Sequence, residues 1–327
     1  MTIQHPFARY LFRRFFVLLL SLVIATPILF ILLRIIPGDP SNALLPVGAT
    51  QEQIDAARHS LGTDVSLISQ FFTWIHHLVT FSFGKSLISE ASVGSEILQK
   101  LVVTVPLTLI SFTIAIFVAL VSGYVIAFRS RSWYGRLLNN VSQFGIAIPV
   151  FWVGLLLIYV FSLRNRIFPA GGFPSEGWHD FPNAVKSLVL PCLTIVLVMS
   201  SSLTRYVRSA TLDVLDSDYI RTSRALGFSI TGSIWRHAIR NAAAPLISIL
   251  AIELSTTFVG AVVVERVFAL PGLGSMLVTG ISEHDFPVIQ GILFLSTVGV
   301  MFVGFFADAL QKFLDPRLNR YSQGAIN

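Results

Sequence analysis

The chain has 327 residues, of which 54% are hydrophobic and only 12% charged. Soluble domains carry roughly 45–50% apolar and about 25% charged residues, so so few charges exclude a water-facing globular surface and indicate an integral membrane protein. The net charge of +6 then concerns orientation in a bilayer rather than nucleic acid, and the single cysteine, Cys192, excludes an intrachain disulfide and a cysteine-based metal site.

A helix needs about 20 apolar residues to cross the hydrocarbon core. Six runs qualify, at Phe15–Ile36, Leu101–Phe128, Leu137–Leu163, Val185–Leu203, Ala242–Val264 and Val288–Leu310. The fold class expected is an all-α integral membrane protein with six transmembrane helices. The first run follows Arg9, Arg13 and Arg14 and is longer than a signal-peptide core; with no small-x-small site close behind it, it is read as a retained span. Lysine and arginine mark the cytoplasmic side. Three fall in 1–14, three in 129–136, six in 204–241 and three in 311–327, against seven in the alternate loops. Both termini of this multi-pass protein are therefore expected in the cytoplasm.

The organisation that follows is a cytoplasmic N-terminus over 1–14, the first span over 15–36, an external segment over 37–100, a core over 101–310 and a cytoplasmic tail over 311–327. The external segment is too long for a tight hairpin. Thr50-Gln51-Glu52-Gln53 reads as a capping box and Gly62 as a helix stop. A second helix is expected after Ser66, with Ile68, Phe71, Phe72, Ile75 and Val79 at helical spacing; its apolar faces need a partner, the bundle or another protein. Residues 164–184 read as an external loop.

Motifs for chemistry are weak. Phe83-Gly84-Lys85-Ser86 resembles the end of a phosphate loop, but Val79 stands where that loop needs glycine. Gly272-Leu273-Gly274 is a fragment of a dinucleotide fingerprint, and no histidine pair has metalloprotease spacing. No enzyme activity is expected of this chain. An ionisable side chain within a span costs roughly 2.5–3.5 kcal/mol on insertion scales. Glu253, midway along the fifth run, is therefore the candidate for a translocation path, by lining water or by pairing with a serine or threonine of a neighbouring helix; a purely structural hydrogen bond is the alternative. Asp308 and Arg34 lie near helix ends, where such side chains reach the interface.

The stretch SDYIRTSRALGFSITGSIWRHAIRNAAAP (Ser217–Pro245), inside the cytoplasmic loop 204–241, is basic and punctuated. Ser217 or Asp218 is expected to cap a short helix through Leu226, Gly227 to end it in the left-handed conformation, and Ser229 to cap a second helix carrying Ile230, Ile234 and Trp235. Such an element either docks on a protein or lies on anionic headgroups.

The same residues resemble the EAA-type loop of permease subunits in binding-protein-dependent ABC importers, and DYIRTSRALGFS…IWRHAIRNAAAPL is similar to its dipeptide/oligopeptide-permease form. Arg221-Thr222-Ser223 stands where many members have Glu-Ala-Ala; the peptide-permease branch commonly has the Arg-Thr form, so the departure narrows the family. RIIPGDP (Arg34–Pro40), TQEQIDAARHSLG (Thr50–Gly62), FGKS, VERVFALPGLG (Val264–Gly274), HDFPVIQG (His284–Gly291) and DPRLNR (Asp315–Arg320) extend the resemblance over almost the whole chain. The resemblance implies an importer of a second permease subunit, two ATPase subunits that hold ATP and Mg, and an external substrate-binding protein. No cofactor is expected on this chain, and no nucleic acid. It also implies that Arg221, Thr222, Ser223, Ala225, Gly227, Ile234, Trp235 and Arg236 couple to an ATPase, and that VERVFALPGLG and 37–100 face the binding protein or the sister subunit. Two other classes remain in view: a self-sufficient channel or secondary transporter with Glu253 as an ion site, for which paired repeats and broken helices would be expected and neither is read here, and an intramembrane enzyme, which lacks a catalytic constellation.

Overall fold

The structure, a computed structural model, describes residues 6–35, 45, 49–61, 64–130, 132–233 and 239–314. Gly62, the Pro37–Pro40 half of RIIPGDP and DPRLNR lie outside the described residues.

Helix α1 (Pro6–Ile35) starts well before the first apolar run, because nothing between Pro6 and Phe15 breaks a helix and proline suits a first turn. Two helices follow in the segment between the first two long apolar helices, α2 (Gln51–Leu61) and α3 (Leu67–Val79). The capping box forms: Gln53 Oε1 accepts from the Thr50 N–H at 2.9 Å, and Thr50 Oγ1 from the Gln53 N–H at 3.4 Å. Ser66 caps α3 through the Ser69 N–H at 3.3 Å. The Phe83–Ser86 motif is a turn closed on the start of the next helix, with the Ser86 N–H bonded to Ala91 O at 2.9 Å and the Val93 N–H to Gly84 O at 3.1 Å. Its likeness to a phosphate loop ends there.

Helix α4 (Val93–Phe128) crosses beside α7 (Phe181–Leu215), and together they form the centre of the bundle. Val103, Leu107, Ala115 and Ala119 of the first pack with Leu190, Ile195, Met199, Leu203 and Val207 of the second. Fully burying one such Leu, Ile or Val contributes about 1.5–3 kcal/mol in water. In lipid that driving force is largely absent, so close small-residue approach and polar contacts matter more. Ser122 Oγ and Thr204 Oγ1 accordingly meet at 2.6 Å across this pair.

The third expected span is not one helix. It is α5 (Trp133–Ala147) and α6 (Val150–Leu157), which continues as a π-helix through Arg164, and the two halves are bent by 106°. The cause sits at the break. Pro149 lacks an N–H, and proline disfavours helical backbone in the residue before it; Ile148 is extended at φ −85°, ψ 126°. The reading of an uninterrupted run over Leu137–Leu163, and of a chain without broken helices, is thereby corrected.

A one-turn 3-10 helix (Gly177–His179) precedes α7, in the loop where the Trp178 Nε1–H donates to Val102 O at 2.9 Å. After α7 come α8 (Asp218–Ala225), α9 (Ile230–Ser233), α10 (Ile239–Val267), α11 (Leu273–Ser282) and α12 (Phe286–Leu314). Among the described residues five helices are long and apolar enough to cross a membrane, or six if the bent pair is one span. The first helix lies at the rim against α12, where Arg14 pairs with Asp308 at 3.3 Å and Lys312 sits 5.3 Å from the Tyr10 ring. Phe12, Phe16, Val23 and Ile28 of α1 are exposed and form part of an apolar outer surface suited to lipid.

Candidate functional site

Helix α7 does not stop where its apolar run ends near Leu203. It continues through the polar residues to Leu215, so the basic loop is presented from a rigid stem that belongs to the central pair. The chain then turns at Asp216 into α8. Ser217 does not cap α8 with its side chain; its hydroxyl donates back to Val214 O at 2.5 Å. Asp218 in the first turn still suits the helix dipole.

The end of α8 is built by backbone geometry. The Gly227 N–H bonds to Arg224 O at 3.0 Å and the Phe228 N–H to Ser223 O at 3.2 Å, with Gly227 at φ +89°. That pair of bonds around a left-handed residue is a Schellman termination. Ser229 then caps α9, its Oγ accepting from the Gly232 N–H at 3.1 Å. The two short helices are joined by Ser223 Oγ and Ser233 Oγ at 2.8 Å, both buried.

This sorts the expected coupling residues. Ile220 and Ser223 face inward, with Ile220 packed on Val214. Arg221, Thr222, Arg224, Ala225, Leu226 and Gly227 are exposed, and Phe228 completes an apolar tip with Leu226, which is 74% exposed. Ser223 thus holds the element together from within. Ile234, Trp235 and Arg236 lie outside the described residues. The result is a compact helical knob with an apolar tip beside two arginines, a shape suited to making contacts.

Glu253 lies on α10, half-buried. Its Oε1 accepts from the Ser202 hydroxyl of α7 at 2.7 Å. Both line a cavity of about 230 Å³ with Ile195, Met199, Thr256, Thr257 and Val150. Val150 is the first helical residue after the Pro149 break, so the bend brings α6 to the cavity wall. A carboxylate, a serine and two threonines around such a space can hydrogen-bond a passing polar solute or water.

Two further carboxylates went unmarked in the sequence reading, and both clamp the end of the bundle where α10 and α12 meet their connecting loops. Glu265 is fully buried at the end of α10. It accepts from Thr104 Oγ1 of α4 at 2.6 Å and from the N–H groups of Gly274 and Ser275 at 2.7 and 3.2 Å. A buried charge is tolerable only when so satisfied, and the first turn of α11 gains an anion at its positive end. Gly272 is required here, since a Cβ on it would lie 2.2 Å from the Glu265 Cδ. Asp285 likewise accepts from Ser86 Oγ at 2.5 Å and the Leu87 N–H at 3.2 Å, tying the Phe83–Ser86 turn to the start of α12. Their places inside VERVFALPGLG and HDFPVIQG were the available signal. Among the described residues no three His, Cys, Asp or Glu side chains come together as metal ligands.

Comparison with known proteins places this arrangement. The chain is 34% identical over 305 residues to a protein of Brucella suis biovar 1 (strain 1330) named as a peptide transport system permease, covering 91% of this chain and 95% of the relative. It is 31% identical over 309 residues to the glutathione transport system permease protein GsiC of Escherichia coli (strain K12), covering 94% and 98%. Among solved structures, a chain of the MetNI methionine ABC transporter in an inward-facing conformation matches with a TM-score of 0.55 at 16% identity, covering 67% of this chain and 96% of that one; at that identity the likeness is one of fold. The N-terminal family described as "Binding-prot-dependent transport system membrane comp, N-term" matches residues 7–108. Since the family described as "Binding-protein-dependent transport system inner membrane component" matches residues 115–320, most of the bundle and the knob, the chain belongs to the inner-membrane components of binding-protein-dependent transport systems.

Proposed function

We propose that this chain is a permease subunit of an ATP-driven importer for peptides, forming part of the translocation path and passing ATPase motion to it through the knob at Asp218–Ser233. The observation that carries the reading is the knob itself. It is a stiff, Schellman-terminated element with an exposed apolar tip, mounted on the same α7 that lines the Glu253 cavity. A push on the knob is delivered along one continuous helix to Ser202, the partner of Glu253. Such a push shifts the bundle only if the ATPases hold the knob differently in two states.

In this reading the assembly contains a second permease subunit, two ATPase subunits that bind ATP and Mg, and an external substrate-binding protein, with both termini of this chain in the cytoplasm. Arg221, Thr222, Ala225 and Gly227 belong to the contact, with Ile234, Trp235 and Arg236 beyond them, and Ser223 positions it. Peptide as cargo is supported by the names of the relatives, and the polar groups around Glu253 are compatible with it. The bend at Pro149 is a feature that broken-helix secondary transporters also have, but family membership and the exposed knob favour the ATP-driven reading. The test is reconstitution in liposomes with and without the ATPases and binding protein, using a labelled dipeptide and tripeptide. Uptake is expected only with all components and ATP. ATP-independent flux through this chain alone would overturn the proposal.

A further inference from the structure

Helix α3 is built in three sectors, one of which packs its rings on the bundle. Phe71, Trp74 and Leu78 face the bundle, where Phe71 and Trp74 meet Phe30 of α1 at ring-centroid distances of 5.2 and 5.7 Å, and Trp74 meets Phe294 of α12 at 6.4 Å. About 100° around the helix, at i, i+4, i+7 and i+11, run Ile68, Phe72, Ile75 and Val79. Of these Ile68, Phe72 and Val79 are 71, 64 and 74% exposed, with Phe81 just beyond at 76%. The remaining sector is polar throughout, carrying Ser69, Gln70, Thr73, His76 and His77, and the sequence LISQFFTWIHHLV has no Asp, Glu, Lys or Arg. The two apolar sectors together lie opposite the polar one.

The level at which α3 packs decides what covers the outer stripe. α12 and the membrane-crossing part of α1 are 29 residues each, or about 43 Å at 1.5 Å per residue. They exceed a hydrocarbon core of about 30 Å, and the Arg14–Asp308 pair marks where that core ends on one side. About 20 residues further on, the core ends near Arg34 of α1 and Val288 of α12. Phe30 and Phe294 lie about 6 and 9 Å inside that boundary, so the rings that hold α3 are at the depth an interfacial helix reaches. Ile24, Ile28, Ile31 and Ile35 of α1, the helix on which α3 packs through Phe30, are exposed apolar residues as well.

We infer that α3 is an interfacial membrane helix: its Ile68–Phe72–Val79 stripe is inserted into the leaflet at the C-terminal end of α1, its aromatic face is locked to the bundle, and its polar sector faces water. An interfacial helix of this kind buries its apolar face about 5–10 Å into the headgroup–acyl boundary. The segment between the first two spans is then held by lipid as well as by protein, which sets the height of the Phe83–Ser86 turn and of Asp285 bound to it.

The test uses the full-length chain assembled with its partner subunits in liposomes, with an environment-sensitive fluorophore on Phe72→Cys or, separately, on Thr73→Cys in the polar sector. Labelled wild type gives the background from Cys192. Lipid carrying a nitroxide near the headgroup is expected to quench most of the signal at 72 while iodide in the external buffer does not, and the pattern is expected to reverse at 73. If Phe72→Cys fails to assemble, Ile68→Cys on the same stripe gives the same readout. Iodide reaching 72 freely, or protection of 72 that appears only when the binding protein is added, would overturn the proposal. Because the readout is position in the bilayer, it does not depend on which solute is transported.

Discussion

Replacing Gly227 tests the knob most directly, because its cost can be worked out from the backbone alone. Gly227 sits at φ +89°, and a Cβ added there meets no heavy atom within 4 Å. Substitution is therefore not a matter of fit but of conformation. A side chain in the left-handed region costs roughly 1–2 kcal/mol, with Asn and Asp the residues that tolerate it, and a β-branched side chain there is a true outlier. The two hydrogen bonds of the termination, from the Gly227 and Phe228 N–H groups, contribute about 0.5–1.5 kcal/mol each. The penalty and the gain are of the same size: about 1–2 kcal/mol lowers the ratio of formed to unformed turn roughly 5–30-fold, which brings that ratio near one and leaves about half of the Gly227→Val molecules with the turn. With the turn lost, α9 loses its seat on Ser223 and the apolar tip loses its shape. We expect Gly227→Val to insert normally but to show ATP-dependent uptake reduced in about that proportion, Gly227→Ala to be intermediate, and Gly227→Asn to be close to wild type. The assay is peptide uptake by the reconstituted assembly, with co-purification of the ATPases measured in parallel. Wild-type uptake and ATPase association in the valine variant would refute the reasoning.

Glu253→Gln keeps the size of the side chain and leaves its amide oxygen able to accept from Ser202, so we expect an intact assembly with a changed transport rate; unchanged uptake kinetics would reduce Glu253 to a structural hydrogen bond. Glu265→Ala leaves the N–H groups of Gly274 and Ser275 buried without their acceptor, at about 1–3 kcal/mol each. A clear fall in the thermal unfolding midpoint of the detergent-solubilised protein is expected, smaller for Glu265→Gln, and an unshifted midpoint for the alanine variant would count against the clamp. On the exposed end of α2 the His59–Asp64 hydrogen bond at 2.7 Å raises the histidine pKa and lowers that of the aspartate. The histidine contribution is complete below its ordinary value near 6.5 and is lost as pH rises through the raised one, while the aspartate contribution is complete above about 3.8 and lost as pH falls through the lowered one. Hydrogen-exchange protection at α2, taken relative to the intrinsic rate at each pH, should therefore be greatest between those limits and smaller at pH 8, and Asp64→Asn should remove that difference.

Much of this protein was legible in its residues because the relevant physics is local. Apolar run length located five long apolar helices and passed over the bend in the third run, the Thr50–Gln53 pair announced a helix start, and a glycine between two short amphipathic stretches marked the left-handed turn at 227. Ordered motifs along the whole chain carried the resemblance to ABC-importer permeases, and the family matches over residues 7–108 and 115–320 agree with it. What the residues alone did not settle depends on partners distant in the chain. Thr104 and Glu265 are 161 positions apart, Ser86 and Asp285 199, and Ser202 and Glu253 51; no periodicity encodes which hydroxyl meets which carboxylate. Pro149 was visible, but an apolar run reads as one span whether or not it bends, and only packing against α7 and α10 decided that it turns by 106° and walls the Glu253 cavity. Composition determined the solvent this chain lives in, and local spacing determined its helices. The tertiary structure alone decided which polar groups face one another inside them, because a buried hydrogen bond is set by where two elements meet and not by what either contains.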